Sequence, residues 1–421
     1  MVSKLSSPPQ SSPRTAFKVL LLSSLYTSQF LPSAFFFRAL PIFLRQQGAS
    51  LQVIGLMGLL ILPWMLKFLW APLIDRYSFG KWGHYKSWII VTQCLLALMV
   101  FTCASVDFSD NTLLLFRGIF VVVTLAATQD IATDALALGL LEPHERGWGN
   151  GIQSAGRAMG GVLGGGVMLL VLDRVGWQTS LWILTGAVLL ALLPVFQYRE
   201  SSTRTMCSNP DQEQATPNYI DRLLGFVRQA GIPIWLLFIL LYATGSSMAA
   251  TMFGPLLVDL GLSMVDIGWM TGIVGSLAGI IGSLLAGGIV EPLGRRRALV
   301  GFGVVQAIAV IALMLPALGV SNPVVLYGVS TGEVFARSLA STALFTVMMD
   351  KCRREQPGSD YTLQSSVYII GHHVGIPALS GFIAAAWGYT SVFAIGFVIC
   401  LASVWLALKI MPQSETVSQN S

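Results

Sequence analysis

Residues 63–75 read PWMLKFLWAPLID, an apolar stretch that holds one lysine, Lys67, and ends on a carboxylate, Asp75. The 421-residue chain around it is 54% hydrophobic and only 11% charged, and its mean hydropathy is +0.71. Soluble domains carry about 25% charged residues, so this composition indicates that lipid surrounds most of the chain. A lysine inside a lipid-spanning segment is costly unless an opposite charge faces it, and such residues commonly mark a functional site.

The apolar residues form twelve segments, each long enough to cross a bilayer as a helix, which needs roughly 20 mostly apolar residues. These runs are too long and continuous for the strands of a membrane barrel, and a helix satisfies its own backbone groups in lipid. We therefore predict an all-α polytopic membrane protein with twelve transmembrane helices. The predicted segments are, approximately, 17–43, 52–73, 87–106, 112–138, 149–172, 178–197, 233–257, 264–290, 298–317, 322–349, 363–386 and 390–411.

The longest polar stretch follows the sixth segment and divides the chain into two six-helix halves. Lysines and arginines outside the segments cluster in the loops on one side, and the opposite loops hold only Arg45 and Arg174. This distribution places the N-terminus, the central linker and the C-terminus in the cytoplasm. It also explains the net charge of +5 as orientation and contact with anionic lipid, with no nucleic-acid partner. The predicted parts are an N-terminal tail (1–16), an N-terminal bundle (17–197), a linker (198–232), a C-terminal bundle (233–411) and a C-terminal tail (412–421).

Two loops at corresponding places in the halves carry related signals. The loop after the second segment begins with Asp75 and Arg76, and the loop after the eighth runs from Glu291 through Gly294 to Arg295 and Arg296. The alternative interpretation is that the basic residues only hold these loops on the cytoplasmic side, but that role would not need the carboxylates. The pattern resembles the G-x-L-x-D-R-x-G-R-R loop signature of the major facilitator superfamily, which implies that these six residues act as gating loops between the halves during alternating access.

Four charged residues fall in one layer toward the inner ends of the N-terminal helices. Asp130 and Asp134 are one helical turn apart on one face of the fourth segment, with Lys67 and Arg157 at similar depth in the second and fifth. Two carboxylates and two bases balance, and the hypothesis is a charge network that joins Lys67 to Asp130 and Asp134 and these to Arg157. The alternative is a structural brace for the N-terminal half.

A second layer lies near the middle of the C-terminal half. Glu333 and Arg337 are spaced i,i+4 on the tenth segment, and His372 and His373 lie in the eleventh. Since histidine titrates near neutral pH, Glu333, Arg337 and His372 are candidates for a proton and substrate pathway. The alternative is a self-contained ion pair with histidines bonded to backbone. Neighbouring helical residues point about 100° apart, so at most one histidine is expected to line a cavity.

The sequence holds no Walker phosphate-binding motif, no H-E-x-x-H and no G-x-S-x-G accompanied by catalytic partners. A secondary transporter is therefore predicted, with no catalytic residues, no metal site, no cofactor and no ATPase. An intramembrane enzyme and a non-transporting sensor are the remote alternatives.

Four short pieces of the N-terminal half occur in the order and form found in one family. They are SQFLP (28–32), KFLWAPLIDRY (67–77), ATQDIATDA (127–135) and LEPHERG (141–147). Together they resemble the AmpG-like muropeptide permease family of the major facilitator superfamily. The resemblance implies proton-driven import of a small polar solute across a bacterial inner membrane.

The resemblance leaves two substrate classes. The muropeptide branch typically carries about two further C-terminal helices, whereas this chain stops at twelve. The pieces ALPIFLRQQG (39–48), LILPW (60–64) and GHYKSW (83–88) look more like the siderophore importers of the RhtX/FptX type. Siderophore import is therefore the favoured expectation, and anhydromuropeptide import for cell-wall recycling is the alternative.

Overall fold

A computed structural model describes residues 15–40, 60–79, 82–106, 112–200, 225–374 and 376–411. Every regular element in these ranges is helical, and all twelve predicted segments overlap helices. The N-terminal half contains α1 (Thr15–Ala34), α2 (Leu62–Leu66), α3 (Ala71–Arg76), α4 (His84–Cys103), α5 (Thr112–Leu140), α6 (Arg146–Gly161), α7 (Met168–Leu190) and α8 (Leu193–Gln197). The C-terminal half contains α9 (Ile232–Asp259), α10 (Met264–Ile267), α11 (Gly275–Leu293), α12 (Arg295–Ala312), α13 (Met314–Ala317), α14 (Pro323–Asp350), α15 (Pro357–His373) and α16 (Ile376–Ile410).

Several crossings are built from more than one of these helices. Eight helical stretches of the described chain are long and apolar enough to span a membrane, and two of them contain a sharp bend. The bends fall at Gly176 (φ 76°) in α7 and at Gly388 (φ 78°) in α16. Positive φ is readily adopted only by glycine. Each bend therefore separates two crossings at the same place in its half, between the fifth and sixth and between the eleventh and twelfth.

The second and eleventh crossings differ from the predicted continuous helices. The described part of the second is broken by a 3-10 turn at Lys67–Leu69, between α2 and α3. The eleventh starts earlier than predicted, at Pro357, and its first helix ends at His373 because Val374 is extended (φ −121°, ψ 170°). The residues that follow Pro357 are mostly polar, so the hydropathy of the sequence did not indicate that the helix begins there. The central linker contains residues 201–224, which lie outside the described ranges, so its bounds stay a prediction.

The buried apolar residues show how the two halves meet. One core cluster contains residues from the inner ends of both halves, including Leu25, Ile131, Trp235 and Met348. Two further clusters lie toward the outer ends, one in the N-terminal half and one in the C-terminal half. The halves therefore share a core on the side predicted to be cytoplasmic and have separate cores on the other side. A cavity lies between them.

Candidate functional site

Lys67 faces a carboxylate, as its cost in lipid requires. Its side chain is 1% exposed, and Nζ donates a hydrogen bond to Oδ2 of Asp130. The other carboxylate oxygen of Asp130 accepts a hydrogen bond from Gln29 on α1. The 3-10 turn in the second crossing presents Lys67 to α5. The result is a buried, neutral pair with an additional amide donor, the arrangement that a buried charge needs.

Asp134 has a different environment, although it lies one turn from Asp130. Its Oδ1 accepts hydrogen bonds from the Tyr26 hydroxyl and from Nε2 of Gln153, both at 2.9 Å. The residue is 1% exposed, and no cation lies within 4 Å of its carboxylate in the described part of the chain. Asp134 is thus a buried carboxylate held by neutral donors.

Arg157 forms no ion pair with Asp130 or Asp134 in the described chain, in contrast to the predicted network, and its charge acts on Asp134 only at longer range. Its guanidinium lies between two aromatic rings, 4.7 Å from the centroid of Phe30 and 5.2 Å from that of Phe345. Within the described residues it forms no ion pair, and its buried Nε has no hydrogen-bond partner. Gln153 and Arg157 lie one turn apart on the same face of α6, and the difference is one of height, since Gln153 is the residue that meets Asp134.

The charged layer of the C-terminal half is built on α14 and α15. Arg337 Nε donates a 2.9 Å hydrogen bond to Glu333, and the two form an i,i+4 ion pair. His372 Nδ1 bonds to the Ser247 hydroxyl on α9, so its partner is a side chain rather than backbone. The expectation that at most one histidine lines a cavity is wrong. Both line the cavity, because α15 ends at His373 and both histidines lie in its last turn.

The cavity between the halves has a volume of about 830 Å³. It brings together every residue of the predicted pathway except Glu333, which reaches it only through Arg337. Aromatic rings from both halves complete its wall. The charged, polar and aromatic lining residues include Phe30, Trp64, Lys67, Asp130, Asp134, Gln153, Arg157, Arg337, Phe345, Tyr361, Tyr368, His372 and His373. The volume of the cavity and its mixture of polar and aromatic lining residues suit a bulky polar solute.

One hydrogen-bond chain crosses from one half to the other at the floor of this cavity. Gln153 donates to Asp134, and its Oε1 accepts a 3.1 Å hydrogen bond from the hydroxyl of Tyr361 on α15. Asp134 is therefore linked to the C-terminal half through a single amide side chain.

Below the cavity, Asp75 joins the halves directly. Its carboxylate accepts hydrogen bonds from the Ser359 backbone N–H and hydroxyl, both at 2.7 Å, and from the Gly358 N–H at 3.2 Å. The Tyr85 hydroxyl, from its own half, donates a fourth at 2.7 Å. Gly358 and Ser359 begin α15, where unsatisfied N–H groups and the helix dipole favour a carboxylate. The gating residue Asp75 is thus an N-terminal cap supplied by the opposite half.

A second group of contacts joins the halves beside Asp75. Asp350 at the end of α14 accepts hydrogen bonds from Arg146 of the N-terminal half at 2.8 Å and from Arg295 at 2.7 Å. Arg295 also pairs with Glu291 at 2.5 Å and donates to the Pro143 carbonyl at 2.8 Å. We call Asp75, Arg146, Arg295 and Asp350, with their partners, the inner gate.

The other predicted gating residues lie at the edge of this gate. Gly294 has φ 82° and makes the turn between α11 and α12. Arg296 bonds to the Leu408 carbonyl within its own half, and the Arg76 guanidinium packs 5.4 Å from the Tyr77 ring. The described contacts of these two arginines stay within one half.

Several uncharged residues of the site were not predicted from the sequence. Tyr361, Ser365 and Tyr368 precede the predicted His372 by 11, 7 and 4 positions on α15, and all four line the cavity. That spacing marks one face of a helix and could have identified them. Gln153 precedes Arg157 by one turn, so the same signal was present there. Arg146 and Asp350 have no such signal, because their pairing depends on how the halves meet.

Comparison with known proteins agrees with this architecture. The family model described as Major Facilitator Superfamily matches residues 22–375. A Haemophilus influenzae protein of uncharacterised function is 27% identical over 399 residues, which are 90% of this chain and 92% of that protein. The anhydromuropeptide permease of Escherichia coli K12 is 25% identical over 368 residues, 86% of this chain and 73% of the permease.

The crystal structure of FucP, a Major Facilitator Superfamily transporter in the outward conformation, superposes with a TM-score of 0.72. It covers 95% of this chain and 99% of FucP at 16% identity, a likeness of fold. The predicted fold of twelve transmembrane helices in two halves is confirmed. The chain belongs to the Major Facilitator Superfamily and is a multi-pass membrane transporter.

Proposed function

We propose that this chain imports anhydromuropeptides across a bacterial inner membrane, driven by protons. The observation that carries the proposal is the large cavity, whose charged and aromatic groups suit a sugar–peptide solute with ring faces, amides and carboxylates. The relationship to the Escherichia coli permease supports this solute class. Siderophore import, favoured from short sequence pieces, stays a prediction.

Asp134 is the proposed proton-binding group. Asp130 has its counter-charge in Lys67 at hydrogen-bond distance, whereas Asp134 is buried among neutral donors, so a proton on Asp134 breaks no ion pair. Its link through Gln153 to Tyr361 connects its protonation to the contact between the halves. A proton on Asp134 turns one oxygen of its carboxylate from an acceptor into a donor. The hydrogen bonds that run from Asp134 through Gln153 to Tyr361 must then rearrange.

Alternating access follows from the inner gate. In the structure the halves share a core and a set of charged contacts on the side predicted to be cytoplasmic. Import requires these contacts to break while the outer ends close. We propose that both termini and the central linker lie in the cytoplasm, where the gate would then release the solute.

The test uses Escherichia coli cells that lack their own anhydromuropeptide permease. Cells expressing this chain are expected to accumulate a radiolabelled disaccharide tripeptide, cells with an empty vector are not, and a protonophore should abolish accumulation. A parallel arm measures ferric siderophore uptake in cells without inner-membrane siderophore importers. Siderophore uptake without muropeptide uptake would contradict the proposed solute.

A further inference from the structure

The cavity holds one cation that forms no ion pair within the described chain. Three lining residues are lysine or arginine: Lys67, Arg157 and Arg337. Lys67 is paired with Asp130 and Arg337 with Glu333, whereas Arg157 has no carboxylate within 4 Å in the described chain. An arginine stays protonated in proteins. Arg157 is partly buried and lines the cavity, so its unpaired guanidinium is a candidate to bind an anion from outside the chain.

The aromatic rings around Arg157 fix it in place. Phe30 belongs to the N-terminal half and stacks on Trp64 with centroids 5.3 Å apart. Phe345 belongs to the C-terminal half and meets the Tyr368 ring edge-on at 4.9 Å. Each ring is therefore held by a second ring, and each offers the guanidinium a favourable cation–π contact. The guanidinium is oriented by both halves before any solute arrives.

The two rings contact the guanidinium, and Arg157 lines the cavity. Its Nε is buried without a hydrogen-bond partner. A planar guanidinium presents parallel N–H groups that match a carboxylate, and a bidentate pair of this kind is among the strongest hydrogen-bonded contacts in proteins. Arg157 has the charge and the fixed orientation for such a pair.

The net charge of the cavity links anion binding at Arg157 to protonation of Asp134. The pairs Lys67–Asp130 and Arg337–Glu333 are neutral, which leaves Arg157 and Asp134. When Asp134 takes up a proton, one positive charge remains in the cavity, and one solute carboxylate neutralises it. The remaining titratable groups around Arg157 and Asp134 are Tyr26, Tyr361, Tyr368, His372 and His373.

We propose that Arg157 binds a carboxylate of the transported solute, between Phe30 and Phe345 at the junction of the two halves. The inference rests on the proposed function for the identity of the solute, and on the structure alone for the anion site. A carboxylate bound there would bridge the halves, because the rings that orient Arg157 come from both.

Two pairs of ligands test the site on purified protein. Benzoate and benzamide differ in charge and have the same ring, and their effect on the midpoint of thermal unfolding tests the site without any muropeptide. The anhydrodisaccharide tripeptide and its carboxamide form are compared by calorimetric titration. The wild-type chain is expected to be stabilised by benzoate only, and to bind the carboxylated tripeptide roughly 10- to 100-fold more tightly than the carboxamide.

The variants are Arg157→Gln, Arg157→Lys and the control Arg174→Gln, an exposed arginine that does not line the cavity. R157Q should lose both preferences, R157K should keep part of them because lysine retains the charge without the planar fork, and R174Q should match the wild type. If R157Q does not fold, the ligand comparison on the wild type and R157K still decides.

Equal binding of charged and uncharged ligands by the wild-type chain, or an undiminished preference in R157Q, would overturn the inference. Tripeptide binding with no charge preference would do so while leaving the proposed function in place. Benzoate stabilisation that depends on Arg157, together with no tripeptide binding, would support the anion site and contradict the proposed solute.

Discussion

Replacing Asp75 by asparagine should open the inner gate. Both carboxylate oxygens accept hydrogen bonds from the start of α15, and Oδ2 alone accepts two, from the Ser359 N–H and hydroxyl. Asparagine keeps one acceptor oxygen and replaces the other by an NH₂ group that cannot accept. The change also removes a negative charge from a helix N-terminus, a contribution of about 0.3–1 kcal/mol or more.

The size of the effect follows from these contacts. A hydrogen bond to a charged group contributes about 1.5–3 kcal/mol, and rearrangement of the amide and entry of water recover part of the loss. The gate-closed state should therefore lose about 2–4 kcal/mol relative to the gate-open state. That difference corresponds to a shift of about 30- to 1,000-fold in the equilibrium between the two states.

A native cysteine beside the gate reports its opening. Cys352 lies between α14 and α15, where its thiol donates to the Met348 carbonyl and accepts a contact from Gln364. Burial raises the pKa of the Cys352 thiol well above its usual range. Because the thiolate is the reactive form, a closed gate keeps alkylation slow, both by enclosing the sulfur and by lowering its thiolate fraction.

The assay follows alkylation of Cys352 by N-ethylmaleimide at neutral pH, with the modified peptide quantified by mass spectrometry. Asp75→Asn should accelerate the reaction markedly, and Glu355→Gln, an exposed carboxylate close to the start of α15, should leave it unchanged. If folded D75N is alkylated at the wild-type rate, Asp75 does not hold the inner side closed, and the reasoning fails.

Four further predictions concern the cavity and the contact between the halves. Asp134→Asn should abolish uphill accumulation driven by a pH gradient in proteoliposomes while retaining solute exchange, whereas loss of both would contradict a proton-binding role. Asp130→Asn should instead lower stability by about 3–5 kcal/mol, because it leaves a buried lysine unpaired, and an unchanged unfolding midpoint would refute this. Gly287→Val should speed alkylation at the gate, since a Cβ there would lie 3.0 Å from the Gly147 carbonyl oxygen; unchanged alkylation would show that this contact tolerates bulk. Tyr361→Phe should slow uptake several-fold without changing the unfolding midpoint, and wild-type uptake would remove the Gln-mediated link from the mechanism.

Much of the fold could be predicted because lipid imposes simple rules. Long apolar runs must be helices, and a lysine such as Lys67 must meet a carboxylate at similar depth, which Asp130 provides. The loop carboxylate Asp75 was also identifiable, because its position repeats at Glu291 in the other half.

Features that depend on the exact height of one helix beside another and on contact between the halves could not be predicted. Approximate depth placed Arg157 with the aspartates, but Gln153, one turn earlier on the same face of α6, makes that contact and Arg157 lies against two phenylalanines. The hydrogen bonds between Asp75 and the start of α15 could not be predicted from hydropathy either, because residues 358–360 precede the predicted apolar segment. In each case the deciding information is the packing of distant helices.

The most direct test of the central claim is transport by the purified chain in proteoliposomes. An inward proton gradient is imposed, and accumulation of the labelled anhydrodisaccharide tripeptide is measured before and after a protonophore is added. Accumulation above the external concentration that collapses with the protonophore is the predicted result. Equal tripeptide levels in liposomes with and without the protein, under the same gradient, would contradict the account.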